Sequence, residues 1–174
     1  LLSDIMDWDY KTYSRHDFDV VWASPPCTEY NIAMTTDVRK IVEANKISQR
    51  TIDIICYFDP KNWIIENPQT GRLKEQEFIT DLPFTDVDYC KYGMPYRNRT
   101  RLWNNVECWD PRQLCQKDCD SMSDNRRRHK ETAQRRPPDG REGRRFRREE
   151  LYKAPESLSE IFTSIINRNN NPNQ

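Results

Sequence analysis

Short apolar runs alternate with a longer amphipathic stretch over the first half of the chain. Four runs rich in Val, Ile and Trp predict strands at residues 19–23, 62–66, 85–90 and 100–106. Between the first two runs, apolar residues follow one stripe of residues 37–57, which is typical of an amphipathic helix. This strand–helix–strand order predicts an α/β sheet with right-handed crossovers, in which the third and fourth strands are neighbours.

The rest of the chain has a different pattern. Residues 107–149 are polar and show little periodicity, whereas the apolar residues of 156–168 form a helical stripe suited to core packing. We therefore expect three segments: a core at 1–106, a polar insert at 107–149, and a C-terminal helix with its tail at 150–174.

The formal net charge is zero, but the charges are unevenly distributed. Residues 125–148 contain eleven lysines and arginines against three acidic residues, so the rest of the chain is acidic. Such a run is typical either of a solvated loop or of a segment that contacts phosphates. No apolar run is long enough to cross a bilayer, and the first residues are acidic, unlike those of a signal peptide. We therefore expect no membrane partner.

Three of the six cysteines lie close together in the polar insert, just before the basic run. With a histidine they form the pattern Cys108-x6-Cys115-x3-Cys119-x9-His129. Four soft ligands in a short polar segment predict a tetrahedral zinc site, although this is not one of the common finger spacings. The alternative is a set of reduced free thiols, and we expect no disulfides.

The first predicted strand ends in Ser24-Pro25-Pro26-Cys27. The two prolines fix φ and remove two backbone donors, so they make a stiff turn at the end of the strand. In open α/β sheets this edge is where ligands bind. Cys27 is therefore either a nucleophile held in place or a buried structural cysteine.

Two further segments follow the next strands. Glu66-Asn67-Pro68 places a carboxylate at the end of the second strand. In residues 92–103, alternate arginines share one face of an extended chain. Each feature is also compatible with a solvated strand end or an exposed edge strand.

The order of these segments resembles the DNA cytosine-5 methyltransferase family. Ser24–Cys27 is similar to the family's proline-cysteine nucleophile motif, and Glu66-Asn67-Pro68 to its Glu-Asn-Val motif. Residues 92–103 resemble its Gln-x-Arg-x-Arg segment, with Arg97 in the place of the glutamine. The resemblance covers roughly residues 1–106, and the basic Cys/His insert at 107–149 would then be the DNA-recognition element.

This resemblance implies a Rossmann-like methyltransferase core that acts on cytosine C5 in double-stranded DNA with S-adenosylmethionine. The target base would be flipped out of the duplex. Tyr30 and Met34, in the loop after the nucleophile, would be available to pack on the base or the DNA backbone. By resemblance, the catalytic residues would be Cys27, Glu66, Arg99 and Arg101, and the cofactor contacts Asp4, Ile5 and Pro26.

The chain departs from the family at its start. The family's Gly-rich cofactor loop and its first strands precede the segment around Asp4, and they are missing here. We therefore expect an N-terminally truncated fragment, inactive alone, whose cofactor site is completed by a missing N-terminal segment or a second chain. We expect it to work inside cells with DNA, in the cytoplasm of a prokaryotic or virus-infected cell or in a nucleus.

Two other functions remain open from the sequence. One is an amino-methyltransferase acting on adenine N6 or cytosine N4, which would carry an aromatic residue where Cys27 stands. The other is a DNA-binding fragment without catalytic activity.

Overall fold

The computed structural model describes residues 3–32, 41–133 and 146–170 and shows a mixed α/β chain. The chain divides into two compact units. The first comprises Leu1–Thr85 and Arg101–Glu107, and the second Asp86–Thr100 and Cys108–Gln174. The three segments expected from composition stay a prediction. Composition gave no sign that Asp86–Thr100 would group with the polar insert.

The main sheet consists of β1 (Val20–Ala23), β2 (Asn62–Pro68), β3 (Phe84–Asp88) and β5 (Arg99–Asn104). These four strands lie in the order β1-β2-β5-β3. All four predicted strands are therefore present, and the predicted neighbours β3 and β5 do lie side by side. A second, two-stranded parallel sheet pairs β4 (Tyr96–Arg97) with β6 (Glu131–Thr132).

The helix between β1 and β2 is α1 (Ile41–Phe58), and the predicted start of this helix lies outside the described residues. Its inner face packs with the sheet around Tyr30, Ile65 and Trp103. After β2 come a 3-10 turn (Arg72–Glu75) and the short helix α2 (Glu77–Thr80). These elements and the sheet together form one hydrophobic core of the first unit.

The second unit contains α3 (Arg148–Leu151) and α4 (Glu156–Asn170). Leu158, Phe162 and Ile165 of α4 are buried, and the Phe162 ring lies 4.7 Å from that of Trp109. The apolar stripe of this helix thus serves core packing, as predicted. Among the residues that the structure describes, no helix is long and apolar enough to cross a membrane.

Candidate functional site

The end of β1 lies beside β2. The two strands are parallel, and Ala23, the last residue of β1, pairs with Ile65. Ser24 therefore leaves the sheet beside Glu66, which is still part of β2. There Ser24 Oγ donates a hydrogen bond of 2.7 Å to Glu66 Oε2. This bond ties the predicted acid to the segment that leads to Cys27.

Contacts on both sides restrain the turn that carries Cys27. Asn67 is buried and donates from Nδ2 to the carbonyl oxygen of Pro25 at 2.9 Å. On the other side, the Tyr30 N–H donates to the Cys27 carbonyl at 3.2 Å. Cys27 itself is half-buried. The thiol therefore lies on a stiff turn at the edge that also bears the Glu66 carboxylate.

Tyr30 anchors this turn from the inside. Its side chain is fully buried, at 0% exposure. Its hydroxyl donates to Asn45 Oδ1 at 2.8 Å and lies 3.1 Å from Ser48 Oγ. The prediction that Tyr30 is available to pack on DNA is therefore wrong, because the ring fills the core and its polar tip is satisfied by α1. Met34, predicted with it, lies outside the described residues.

The predicted arginines lie on β4 and β5 and have different partners. Arg99 donates twice to Asp88, from Nε at 3.0 Å and Nη2 at 2.8 Å, and Arg97 Nε donates to the same carboxylate at 3.2 Å. Arg101, two residues along β5 from Arg99, stacks its guanidinium over the Phe84 ring at 3.6 Å. Arg101 belongs to the same compact unit as Cys27 and Glu66, whereas Arg99 belongs to the other.

Asp88 is the buried acid that accepts the hydrogen bonds of Arg97 and Arg99. Its side chain also accepts the Cys115 backbone N–H at 2.9 Å. Burial acts to raise the pKa of Asp88, but hydrogen bonds from Arg99 and Cys115 and the charge of Arg97 outweigh it, so the pKa is lowered. Sequence reasoning missed this residue because a lone aspartate at a strand end carries no motif.

The predicted cofactor residues lie in the first unit. Asp4 is exposed, and its Oδ1 accepts the Met6 N–H at 2.9 Å. Ile5 is half-buried against an aromatic cluster, and its carbonyl accepts a hydrogen bond of 3.4 Å from Arg50 Nε of α1. Pro26 is exposed beside Cys27. The Asp4–Ile5 segment is thus fastened to α1, the helix that follows the nucleophile strand.

Comparison with known proteins identifies the family. No family model matches the chain. The chain is, however, similar to a curated protein of Frog virus 3 (isolate Goorha) named probable DNA (cytosine-5)-methyltransferase. The two are 41% identical over 137 residues, which cover 70% of this chain and 63% of that protein. The chain belongs to the DNA (cytosine-5-)-methyltransferase family. It spans just under two thirds of the length of this relative.

The second unit contains a cluster of potential sulfur and nitrogen ligands. Cys90, Cys115, Cys119 and His129 place one potential ligand atom each within 4.8 Å of one another. Three of these are the predicted ligands, but Cys90, from the 3-10 turn after β3, stands where Cys108 was predicted. Cys108 is exposed and is not part of the cluster, so its prediction as a ligand is replaced by Cys90.

The electrostatics of this cluster differ from one residue to the next. Burial and the neighbouring thiols of Cys115 and Cys119 raise the pKa of Cys90. Burial also acts to raise the pKa of Cys115, but the backbone N–H of Lys117 and the adjacent thiols outweigh it and lower that pKa. Burial and the charge of Arg97 lower the pKa of His129, which favours the neutral imidazole that binds metals.

Proposed function

We propose that this chain carries the catalytic edge of an enzyme that methylates C5 of cytosine in double-stranded DNA. The observation that supports this most directly is the 2.7 Å hydrogen bond between Ser24 and Glu66 across parallel strands. It joins a proline-restrained cysteine turn to a carboxylate at one sheet edge. The similarity to the viral protein named probable DNA (cytosine-5)-methyltransferase points to the same chemistry.

Cys27 is the proposed nucleophile. C5 of cytosine is a poor nucleophile, so the thiolate of Cys27 adds to C6 and makes C5 an enamine carbon able to accept a methyl group. Once C5 has taken a methyl group from a sulfonium donor, which would leave as a thioether, loss of the C5 proton, expulsion of the thiolate and loss of the proton added at N3 restore the aromatic ring. The base has to leave the duplex to reach this thiol, at a cost of about a few kcal/mol.

Glu66 is the proposed proton carrier at N3. Negative charge develops on the ring as the C6–S bond forms, and a carboxyl group that gives a proton to N3 neutralises it. Ser24 supports this role because its hydroxyl donates a hydrogen bond that orients one carboxylate oxygen. We propose Arg101 as the main contact of the base O2. Arg99 already gives two hydrogen bonds to Asp88, so its predicted contact with the base stays a prediction.

S-adenosylmethionine would supply an electrophilic methyl group. The residues present fit its adenine end, because Asp4 offers an exposed carboxylate acceptor for the amino group and Ile5 an apolar side chain for the ring. Pro26 lies next to the proposed nucleophile in the chain and is exposed. The parallel β1-α1-β2 unit supports the proposal of a Rossmann-like core around this site.

The decisive experiment tests Cys27 through its covalent chemistry. The full-length product of the reading frame is incubated with S-adenosylmethionine and duplex DNA containing 5-fluorocytosine, in which fluorine blocks the final elimination. We expect a denaturation-resistant adduct that maps to Cys27, lost in Cys27→Ser and retained in the matched control Cys56→Ser, an exposed thiol of α1. An adduct that survives Cys27→Ser would refute the assignment.

Two further measurements separate the alternatives. Glu66→Gln should lower turnover by about 10² to 10⁴ while DNA affinity changes little, because the amide keeps its size but cannot deliver a proton. Nucleoside analysis of the methylated DNA should show 5-methylcytosine. Detection of N4-methylcytosine or N6-methyladenine would instead establish an amino-methyltransferase, and DNA binding without any methylated product would establish a non-catalytic fragment.

A further inference from the structure

We propose that Cys90, Cys115, Cys119 and His129 bind one zinc ion, as a structural site that orders the basic hairpin formed by residues 121–130. This site is separate from methyl transfer, and its existence does not depend on the proposed function. All four ligands belong to the second compact unit.

The distances fit a tetrahedral metal. Zn–S bonds of about 2.3 Å and Zn–N bonds of about 2.0 Å, at the tetrahedral angle, put sulfur and nitrogen about 3.5 Å apart. Cys115 Sγ lies 3.5 Å from His129 Nε2. All four ligand atoms lie within 4.8 Å of one another, so small side-chain rotations bring them onto one ion. Three thiolates and one imidazole are a donor set that favours zinc over magnesium or calcium.

The backbone near Cys115 supplies hydrogen-bond donors that stabilise a thiolate. Lys117, between Cys115 and Cys119, has a positive φ of 67°, and the chain bends at this residue. The backbone N–H groups of Lys117 and Asp118 donate hydrogen bonds to the Cys115 sulfur. Such donors to sulfur are the outer contacts that orient and stabilise metal-bound thiolates.

The metal would supply a core that the local sequence lacks. Near these ligands the buried cluster consists of the three thiols and one larger apolar side chain, Met122. A group of this size buries too little apolar surface to hold a polar segment in place, whereas zinc binding is coupled directly to folding. Four protein ligands complete the coordination sphere, which is typical of a structural site.

The cluster lies at the base of a basic hairpin. Met122 and His129 form an antiparallel bridge, and the Ser123 N–H donates to the Arg128 carbonyl at 2.9 Å. The chain reverses between them, and Arg126, Arg127 and Arg128 are all exposed there. Because His129 is both a ligand and a hairpin residue, one ion would tie the arginines to Cys90, in the turn after β3.

The test measures metal content and ligand identity in the full chain. The purified protein should contain about one zinc ion per chain. Cys90→Ser should lose it, whereas the matched control Cys108→Ser should retain it. Retention in Cys90→Ser together with loss in Cys108→Ser would overturn the ligand set. Absence of zinc after purification without chelator, with no uptake of added Zn²⁺, would overturn the site.

Two measurements keep the proposal testable if Cys90→Ser does not fold. Co²⁺ added to the metal-free wild-type chain should give the intense visible bands of a tetrahedral site and charge-transfer absorption of three thiolates. His129→Cys should still bind and show a fourth thiolate. Trypsin cleavage after Arg126, Arg127 and Arg128 should accelerate on zinc removal. Octahedral Co²⁺ spectra, or a cleavage rate independent of zinc, would refute a metal-ordered hairpin.

Discussion

Replacing Asp88 with asparagine should destabilise the second unit strongly. The side chain is 0% exposed and accepts three hydrogen bonds from the guanidinium groups of Arg97 and Arg99 and one from the Cys115 N–H. Asparagine is nearly the same size, but it has one acceptor oxygen and places an NH₂ donor against two cations. The substitution therefore removes the charge and part of the acceptor capacity without creating a cavity.

The magnitude follows from burial and from the exposure of the partners. Removing one member of a buried ion pair costs about 3–5 kcal/mol, because the other charge is left without compensation. Here Arg97 and Arg99 are 41% and 27% exposed, so water can rehydrate them in part. We therefore expect the lower end of that range, about 3 kcal/mol. This corresponds to a change in the opening equilibrium of about 100-fold.

Hydrogen–deuterium exchange followed by mass spectrometry resolves this effect segment by segment. Peptides from 86–100 and 108–130 should lose about 100-fold in protection in Asp88→Asn, while α1 in the first unit should change far less. Asp120→Asn is the matched control, since it neutralises an exposed carboxylate of the same unit and should change stability by less than about 0.5 kcal/mol. A loss below about 1 kcal/mol in Asp88→Asn, or an equal loss in the control, would refute the reasoning.

Two other predictions concern the turn and the hairpin. Tyr30→Phe should cost about 1–2 kcal/mol in urea unfolding, because Asn45 and Ser48 lose their partner. Burial raises the pKa of Tyr30 in the folded protein, so the stability that its neutral hydroxyl contributes is present below about pH 10 and is lost as the pH rises through the pKa of the folded state. Tyr30→Phe has no hydroxyl to ionise, so it should lose less stability at alkaline pH than the wild type. Replacing Arg126, Arg127 and Arg128 with glutamine should reduce the salt slope of DNA binding by about 3, and an unchanged slope would exclude phosphate contacts there.

Local patterns were sufficient for the strands and for the positions of Ser24–Cys27 and Glu66 next to them. Apolar runs bounded by polar residues or prolines define strands directly, and the first two are joined by a helix. A strand–helix–strand unit makes its two strands parallel, so both strand ends meet at one edge. The hydrogen bond between Ser24 and Glu66 is consistent with this arrangement.

Contacts between residues far apart in sequence were not predictable in the same way. The metal ligand set was predicted from spacing alone, which favoured Cys108 because it is near Cys115. Cys90 lies 25 residues before Cys115, and only the fold brings the turn after β3 to the cluster. The prediction that Tyr30 packs on DNA failed for a related reason. A tyrosine in a polar loop gives no sign that its ring enters the core, where α1 supplies partners for its hydroxyl.

Asp88 connects two features that look independent in the sequence: the arginines bound to it, Arg97 and Arg99, and the cysteine cluster. Its carboxylate holds Arg99 through one pair of hydrogen bonds and the backbone of Cys115 through another contact, and Cys90 follows it by two residues.

If zinc orders Cys115, the N–H that Asp88 accepts is held in place by the metal. Zinc removal and Asp88→Asn should then be non-additive. The second change should cost less in the background of the first, with a coupling of about 0.5–3 kcal/mol. A cycle of unfolding measurements on wild type and Asp88→Asn, each with and without zinc, gives this value. If the effects of zinc removal and Asp88→Asn on the free energy of unfolding are strictly additive, the contacts of Asp88 and the metal cluster stabilise the unit independently.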